Sequence, residues 1–231
     1  RGEVGDFVRW LACYGDGRLV HKWVHYLDVY ERHLARFRSK PVVRMLEMGL
    51  GLGGSLQMWA DYFGPRLVLH GMDINPSCIV LQDRARRIFI HIGSQGDRAY
   101  LNELAERLGP LDIVLDDASH HSEHMRNAFE AFYPRMHPHG VYIVEDVSET
   151  YREGAQSPFV EYARGLVHKL NAYSTEQFGR DSPDAVTRTT HSIAFYDSMV
   201  VFERRPRRRP VSLVRGDRAY SSEEVYRSRV G

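Results

Sequence analysis

The sequence predicts an α/β fold: a Rossmann-like, doubly wound, mostly parallel sheet closed by a C-terminal antiparallel hairpin. Three observations predict it. Five short apolar runs alternate with helical segments between Val42 and Val144. The first run empties into a cluster of glycines, Gly49, Gly51, Gly53 and Gly54, that opens a helix. Acids fall at the ends of the runs, at Asp73, Asp116, Asp117, Glu145 and Asp146, the edge where open α/β sheets bind ligands.

Taken in order, residues Val20 to Phe37 read as a helical lead-in rich in His, Trp and Tyr. The first strand covers Val42 to Glu47, and a helix over Ser55 to Phe63 follows the glycines. A second strand, Leu67 to Met72, ends at Asp73, and a short third covers Ile88 to Ile92. Between Asp97 and Leu108 the apolar residues Leu101, Leu104, Ala105 and Leu108 keep a helical period. The fourth strand, Leu111 to Leu115, ends in Asp116-Asp117 and feeds a helix over Glu123 to Tyr133. A turn at Pro138-His139-Gly140 precedes the fifth strand, Gly140 to Val144, which ends in Glu145-Asp146. Residues Ser192 to Phe202 form the closing hairpin, turning at Asp197-Ser198. The expected domains are a helical lead-in or lid over 1–40, a ligand-binding domain over 41–205 and a basic tail over 206–231. The stretch from Glu149 to Thr190 carries Tyr151, Phe159, Tyr162, Tyr173 and Phe178. It reads equally as a substrate wall, as helix packing or as a subunit interface.

Composition narrows the function classes. The chain has 231 residues, enough for one domain with a substantial core, and its 43% hydrophobic and 26% charged content is ordinary for a soluble globular protein. A net charge of +1 gives no broad electrostatic case for a nucleic-acid or membrane partner. The run Arg204 to Arg209 is local and reads as a solvated tail segment, with a weak anion contact as the alternative. Two cysteines, Cys13 and Cys78, argue against a disulfide scaffold and for a reducing compartment. No apolar run approaches the ~20 residues of a membrane helix. The start does not read as a signal peptide, and because it lacks Met a trimmed start is expected. A cytoplasmic enzyme is the expectation.

The glycine segment Glu47 to Gly54 sits where a buried strand turns into a helix. Glycine allows positive φ and close approach of a ligand, and the helix start offers free N–H groups. A plain packing turn would have the same look, but Asp73, at the end of the next strand, adds an acid able to bind both ribose hydroxyls. The dinucleotide fingerprint is G-x-G-x-x-G, whereas Gly49, Gly51 and Gly53 give G-x-G-x-G with Glu47 just ahead. An acid there suits a cofactor without a pyrophosphate. S-adenosylmethionine is therefore preferred over NAD.

The reacting half follows the fourth and fifth strands. If those strands are neighbours, their ends lie ~5 Å apart, and Asp117, Glu145 and Asp146 converge on one hard cation. Three carboxylates favour Mg²⁺, with Mn²⁺ or Ca²⁺ as alternatives. A solvated loop, or a zinc site built on His120, His121 and His124, are the competing readings. A sugar or aliphatic hydroxyl has a pKa near that of water, ~16, and imidazole ~6.5. The gap of roughly nine units amounts to about 12 kcal/mol, too much for histidine alone. A metal lowers such a pKa by many units, so metal and base belong together, with His120 three residues beyond Asp117.

These segments resemble the metal-dependent, class I S-adenosylmethionine sugar O-methyltransferases of antibiotic biosynthesis, with rhamnosyl O-methyltransferases and cephalosporin-hydroxylase-like proteins as relatives. The likeness is carried by Lys22-Trp23 through His25-Tyr26 and Tyr30, by Glu47 to Trp59, and by Gly71 to Ile74. It continues through Ile92 to Asp97, Asp116 to His124, Tyr142 to Asp146 and Phe195 to Asp197. The resemblance implies Asp117, Glu145 and Asp146 as Mg²⁺ ligands and His120 as general base. It implies Asp73 at the ribose, Ser94 and Gln95 near the adenine, and Tyr26 closing over the methionine end. Glu47, Gly49, Gly51, Ser55 and Asp116 complete the expected cofactor site. The expected partners are a small-molecule glycoside and further copies of the chain in a homo-oligomer, with no nucleic acid and no membrane. A non-methylating tailoring enzyme on the same scaffold, or an adenosyl-binding protein without turnover, are the rival functions.

Overall fold

A computed structural model describes residues 5–154 and 156–216. The sheet has seven strands, β1 (Val43–Met48), β2 (Leu67–Asp73), β3 (Ile88–Ile92), β4 (Ile113–Asp116), β5 (Val141–Val144), β6 (Thr190–Tyr196) and β7 (Met199–Arg204). Their order is β3-β2-β1-β4-β5-β7-β6. The first five pair in parallel, while β7 runs antiparallel to both β5 and β6. This is the mixed, mostly parallel α/β sheet the sequence predicts. The strand order reverses between β1 and β4, so the crevice that binds ligands in such sheets lies beyond their carboxyl ends.

Strand alternation sorts the core into two layers. Met45, Leu69, Ile90, Ile113, Leu115, Val141, Ile143 and Val201 face one side, against α1 (Asp6–Cys13), α2 (Val24–Leu34) and α3 (Gly54–Phe63). Leu46, Met48, Val114, Tyr142, Val144, Val200 and Phe202 face the other. There they pack against α4 (Arg98–Leu108), α5 (Ser122–Phe132) and α6 (Pro158–Leu170). The four apolar residues read as the inner face of α4 are all buried, and Asp97 caps that helix by accepting from the N–H groups of Ala99 and Tyr100. Two short helices, α7 (Ala172–Thr175) and α8 (Ala185–Thr189), lead into the hairpin.

Three differences from the sequence reading have physical causes. The lead-in contains an additional helix, α1, whose Phe7 is buried. The aromatic stretch 149–190 is divided: Phe159 is wholly buried in the second core layer and Tyr162 lies beneath Arg126, while Tyr151 and Phe178 are exposed. The arginine run is not simply a solvated tail. Arg204 is buried at the end of β7 and its Nη1 donates to the carbonyls of Tyr133, Pro134 and Met136. Arg207 donates to the carbonyl of Leu170 at 2.9 Å. Residues 1–4 of the expected lead-in and 217–231 of the expected tail lie outside the described residues. Among the described residues no helix is long and apolar enough to cross a membrane.

Candidate active site

The turn after β1 has to be glycine. Gly49 has φ 84°, and a Cβ there would sit 1.9 Å from the carbonyl oxygen of Asp117, where the chain leaves β4. A Cβ on Gly54, at the start of α3, would meet the carbonyl of Leu19 at 2.3 Å. The N-terminal segment therefore lies directly on the loop. Asp73 is fixed at the end of β2 by two backbone donors: Leu50 N–H reaches Oδ2 at 2.9 Å and Asn75 N–H reaches Oδ1 at 2.8 Å. Each oxygen keeps acceptor capacity for a ligand hydroxyl.

Two cavities open along this edge. The larger, about 490 Å³, is lined by Lys22, Tyr26, Gly51, Ser55, Asp117, His120, Glu145 and Asp146 among others. The smaller, about 140 Å³, is lined by Ile74, Gly93, Ser94, Gln95, Ser119 and His124. They share Gly49, Asp73 and Ala118. No described residue between 149 and 190 lines either one; the N-terminal segment supplies Leu19, Lys22, Trp23 and Tyr26 to the wall of the larger cavity.

Pairing of β4 with β5 brings the acids together. His120 Nε2 lies 3.9 Å from Asp117 Oδ1 and 3.8 Å from Asp146 Oδ2. One ligand atom from each of these three residues falls within a 4.8 Å cluster of the size a metal ion needs. His120 and Asp146 both adopt left-handed backbone, φ 55° and 51°. Such conformations cost an L residue ~1 kcal/mol or more and gather at functional sites. His120 Nδ1 is buried without a hydrogen-bond partner.

Side chains from α2 and the segment before it hold these acids in place. Tyr26 donates to Asp146 Oδ1 at 2.6 Å, and Tyr30 donates to Glu145 Oε1. Lys22 Nζ lies 2.6 Å from Asp117 Oδ2 and 2.8 Å from Glu145 Oε2, with only 4% of its side chain exposed. Burial alone would lower the Lys22 pKa. Glu145, Tyr30, Asp117 and Glu47 outweigh burial and raise it, so the ammonium stays charged. Burial pushes Glu145 up, opposed by Lys22 and reinforced by Asp117. Burial likewise lifts Glu47 to about 7, opposed by the charge of Lys22 and by the nearby polar groups of Ser55 and Trp59, which approach its oxygens without reaching hydrogen-bond geometry.

The structure thus brings Tyr26, Gly49, Gly51, Ser55, Asp73, Asp117, His120, Glu145 and Asp146 to one cavity, and Ser94 and Gln95 to its neighbour. Two expected residues, Asp116 and Glu47, are placed otherwise. Asp116 points into the core, where Oδ1 accepts from Gln95 Nε2 at 2.6 Å and Oδ2 from the Tyr142 hydroxyl at 3.3 Å. Burial raises its pKa to about 7, and it lines neither cavity. Glu47 is also wholly buried and off both walls. Glu145 lines the cleft, but its two oxygens already serve Tyr30 and Lys22, which leaves it outside the three-residue cluster. Sequence reasoning assigned no role to Lys22 or Tyr30. Their signal was the motif Lys22-Trp23…Tyr26…Tyr30, whose i, i+4 tyrosines share one face of α2.

No family model matches the chain. It is 35% identical over 201 residues to the 8-demethyl-8-alpha-L-rhamnosyl tetracenomycin-C 2'-O-methyltransferase of Streptomyces olivaceus, covering 80% of this chain and 52% of that protein. It is 40% identical over 132 residues to the mycinamicin VI 2''-O-methyltransferase of Micromonospora griseorubida, covering 54% of this chain and 32% of that one. The chain thus spans about half, or less, of the curated relatives it matches. Among solved structures, MycE methyltransferase from the mycinamycin biosynthetic pathway, in complex with Mg and SAH, superimposes with a TM-score of 0.74 at 27% identity, over 91% of this chain and 56% of that one. The same enzyme with mycinamycin VI also bound gives 0.73 at 27% identity, over 90% and 56%.

Proposed function

Because the chain belongs to the sugar O-methyltransferase family of antibiotic pathways, we propose that it is an Mg²⁺-dependent methyltransferase. It moves the methyl group of S-adenosylmethionine to a sugar hydroxyl of a glycosylated natural product. The observation that carries this reading is the convergence of Asp117, His120 and Asp146 at one end of a cleft whose other end is Asp73 and the glycine loop.

The residues present fit both groups. An adenosyl cofactor needs a slot for its base, an acceptor pair for its ribose and room for its charged tail. The smaller cavity, Asp73 and the larger cavity supply these in sequence, with Gly49 bare at the junction. Carboxylate oxygens of Asp117, Glu145 and Asp146 would suit a hard divalent cation and leave the imidazole of His120 beside it as the base. That the carboxylates require positive charge is visible in the buried Lys22 ammonium drawn between two of them. A divalent cation held there supplies the Lewis acidity that brings an alcohol proton within reach of imidazole.

The chain's own groups do the rest. Tyr26 and Tyr30 orient the acids at the end of β5 through their hydroxyls. His120 presents Nε2 beside Asp117 and Asp146, at the place from which the acceptor's proton is taken. The glycine loop and Asp73 would bind the donor and position it for that acceptor. The same reading makes the protein a cytoplasmic homo-oligomer acting on a small glycoside.

Transfer of labelled methyl from S-adenosylmethionine to a panel of glycosides tests the proposal. His120→Ala should lower kcat by about 10²–10⁴, and excess EDTA should abolish turnover until Mg²⁺ is restored. Full activity in both arms would refute the metal-and-base reading.

A further inference from the structure

Lys22 occupies a demanding position. Its Nζ takes Asp117 Oδ2 and Glu145 Oε2, while the second oxygen of Glu145 is held by Tyr30. An ammonium and a divalent cation repel each other, and because Lys22 and Glu145 are buried that repulsion is screened less than at the surface. For Glu145 to bind metal through the oxygen that faces Asp117, Lys22 has to give that oxygen up. Lys22 also lies in a stretch free of helix or strand, between Cys13 and Val24, so few backbone hydrogen bonds oppose its movement. Its neighbours in that stretch, Leu19 and Trp23, wall the cleft and are 71% and 59% exposed.

We propose that Lys22 is a built-in placeholder cation: it neutralises Asp117 and Glu145 in the metal-free protein and leaves both when a divalent cation binds. Metal loading and the position of the wall formed by residues 19–23 are then one equilibrium. The cation that completes the site also loosens the segment bordering the cleft, and the acids are never left uncompensated. This rests on the reading of Asp117, Glu145 and Asp146 as a metal site, and it adds Lys22 as a competitor that sets the affinity of that site.

The test is the binding of Mn²⁺, followed by the paramagnetic resonance of the free ion, to the wild-type chain and to Lys22→Met, without S-adenosylmethionine. Methionine keeps most of the length of the stem and removes the charge. The variant is expected to bind Mn²⁺ at least tenfold more tightly than the wild type. Equal or weaker binding by a variant with native circular dichroism overturns the proposal. Absence of binding to either protein overturns both the proposal and the metal reading beneath it, which separates the two failures. If Lys22→Met does not fold, acetylation of the wild-type chain by acetic anhydride, mapped by mass spectrometry, decides. Lys22 should be protected without metal and labelled at saturating Mn²⁺; unchanged protection overturns its displacement.

Discussion

Glu47→Gln isolates the cost of holding a carboxylate at the end of β1. Glu47 is wholly buried, neither oxygen is hydrogen-bonded, and burial lifts its pKa from 4.5 to about 7. Between those values the native state keeps a proton that the unfolded chain has released. Stability therefore falls as pH rises through this window and levels off above it. With these two pKa values the penalty is about 0.8 kcal/mol at pH 5 and about 3.3 kcal/mol at pH 8. Glutamine keeps the shape and cannot ionise. The unfolding free energy of Glu47→Gln should thus gain on the wild type by about 2.5 kcal/mol between pH 5 and pH 8. Urea unfolding at four pH values, at fixed ionic strength and with EDTA present, measures this directly. Parallel pH profiles for the two proteins would show that the carboxylate is not ionising against burial, and the reasoning would fail.

Two further outcomes follow from the contacts around the site and the sheet. Tyr26→Phe removes the donor to Asp146 Oδ1; Mn²⁺ affinity should fall about tenfold, as for other groups that orient metal ligands, and an unchanged titration would separate the tyrosine from the metal. Arg204→Ala leaves the carbonyls of Tyr133, Pro134 and Met136 without their buried donor. The loss should be about 2–4 kcal/mol in urea unfolding, whereas a loss below about 1 kcal/mol would mean that water replaces the guanidinium.

The parallel strands were legible because each is a short apolar run closed by an acid, and β4–β5 pairing placed those acids together as expected. What remained hidden depended on which way a side chain turns. Asp116 and Asp117 are adjacent, so one faces the core and the other the cleft. Composition treats them alike, and only pairing with Gln95 and Tyr142 reveals that Asp116 is inward. Lys22 reaches Asp117 across 95 residues and Glu145 across 123, separations that no local pattern encodes. Arg204 looked like the first of a solvated run because its three carbonyl partners lie about 70 positions away.

The ties of α2 bear on how the chain is made. His33 Nδ1 lies 3.0 Å from Glu203 Oε1 and its Nε2 2.8 Å from the Tyr196 hydroxyl, while Tyr26 Oη is 3.3 Å from the carbonyl of Ser198. A helix that leaves the ribosome before every described strand of the sheet is thus pinned by the hairpin that leaves it last among those strands. At ~5–20 residues per second, the acids at 145 and 146 emerge several seconds before residue 204. Until then α2, which carries the tyrosine partners of Glu145 and Asp146, lacks the hairpin that fixes it. The reaction centre is therefore completed only once β7 has been made, and a nascent chain released before β7 carries the site's residues without its geometry.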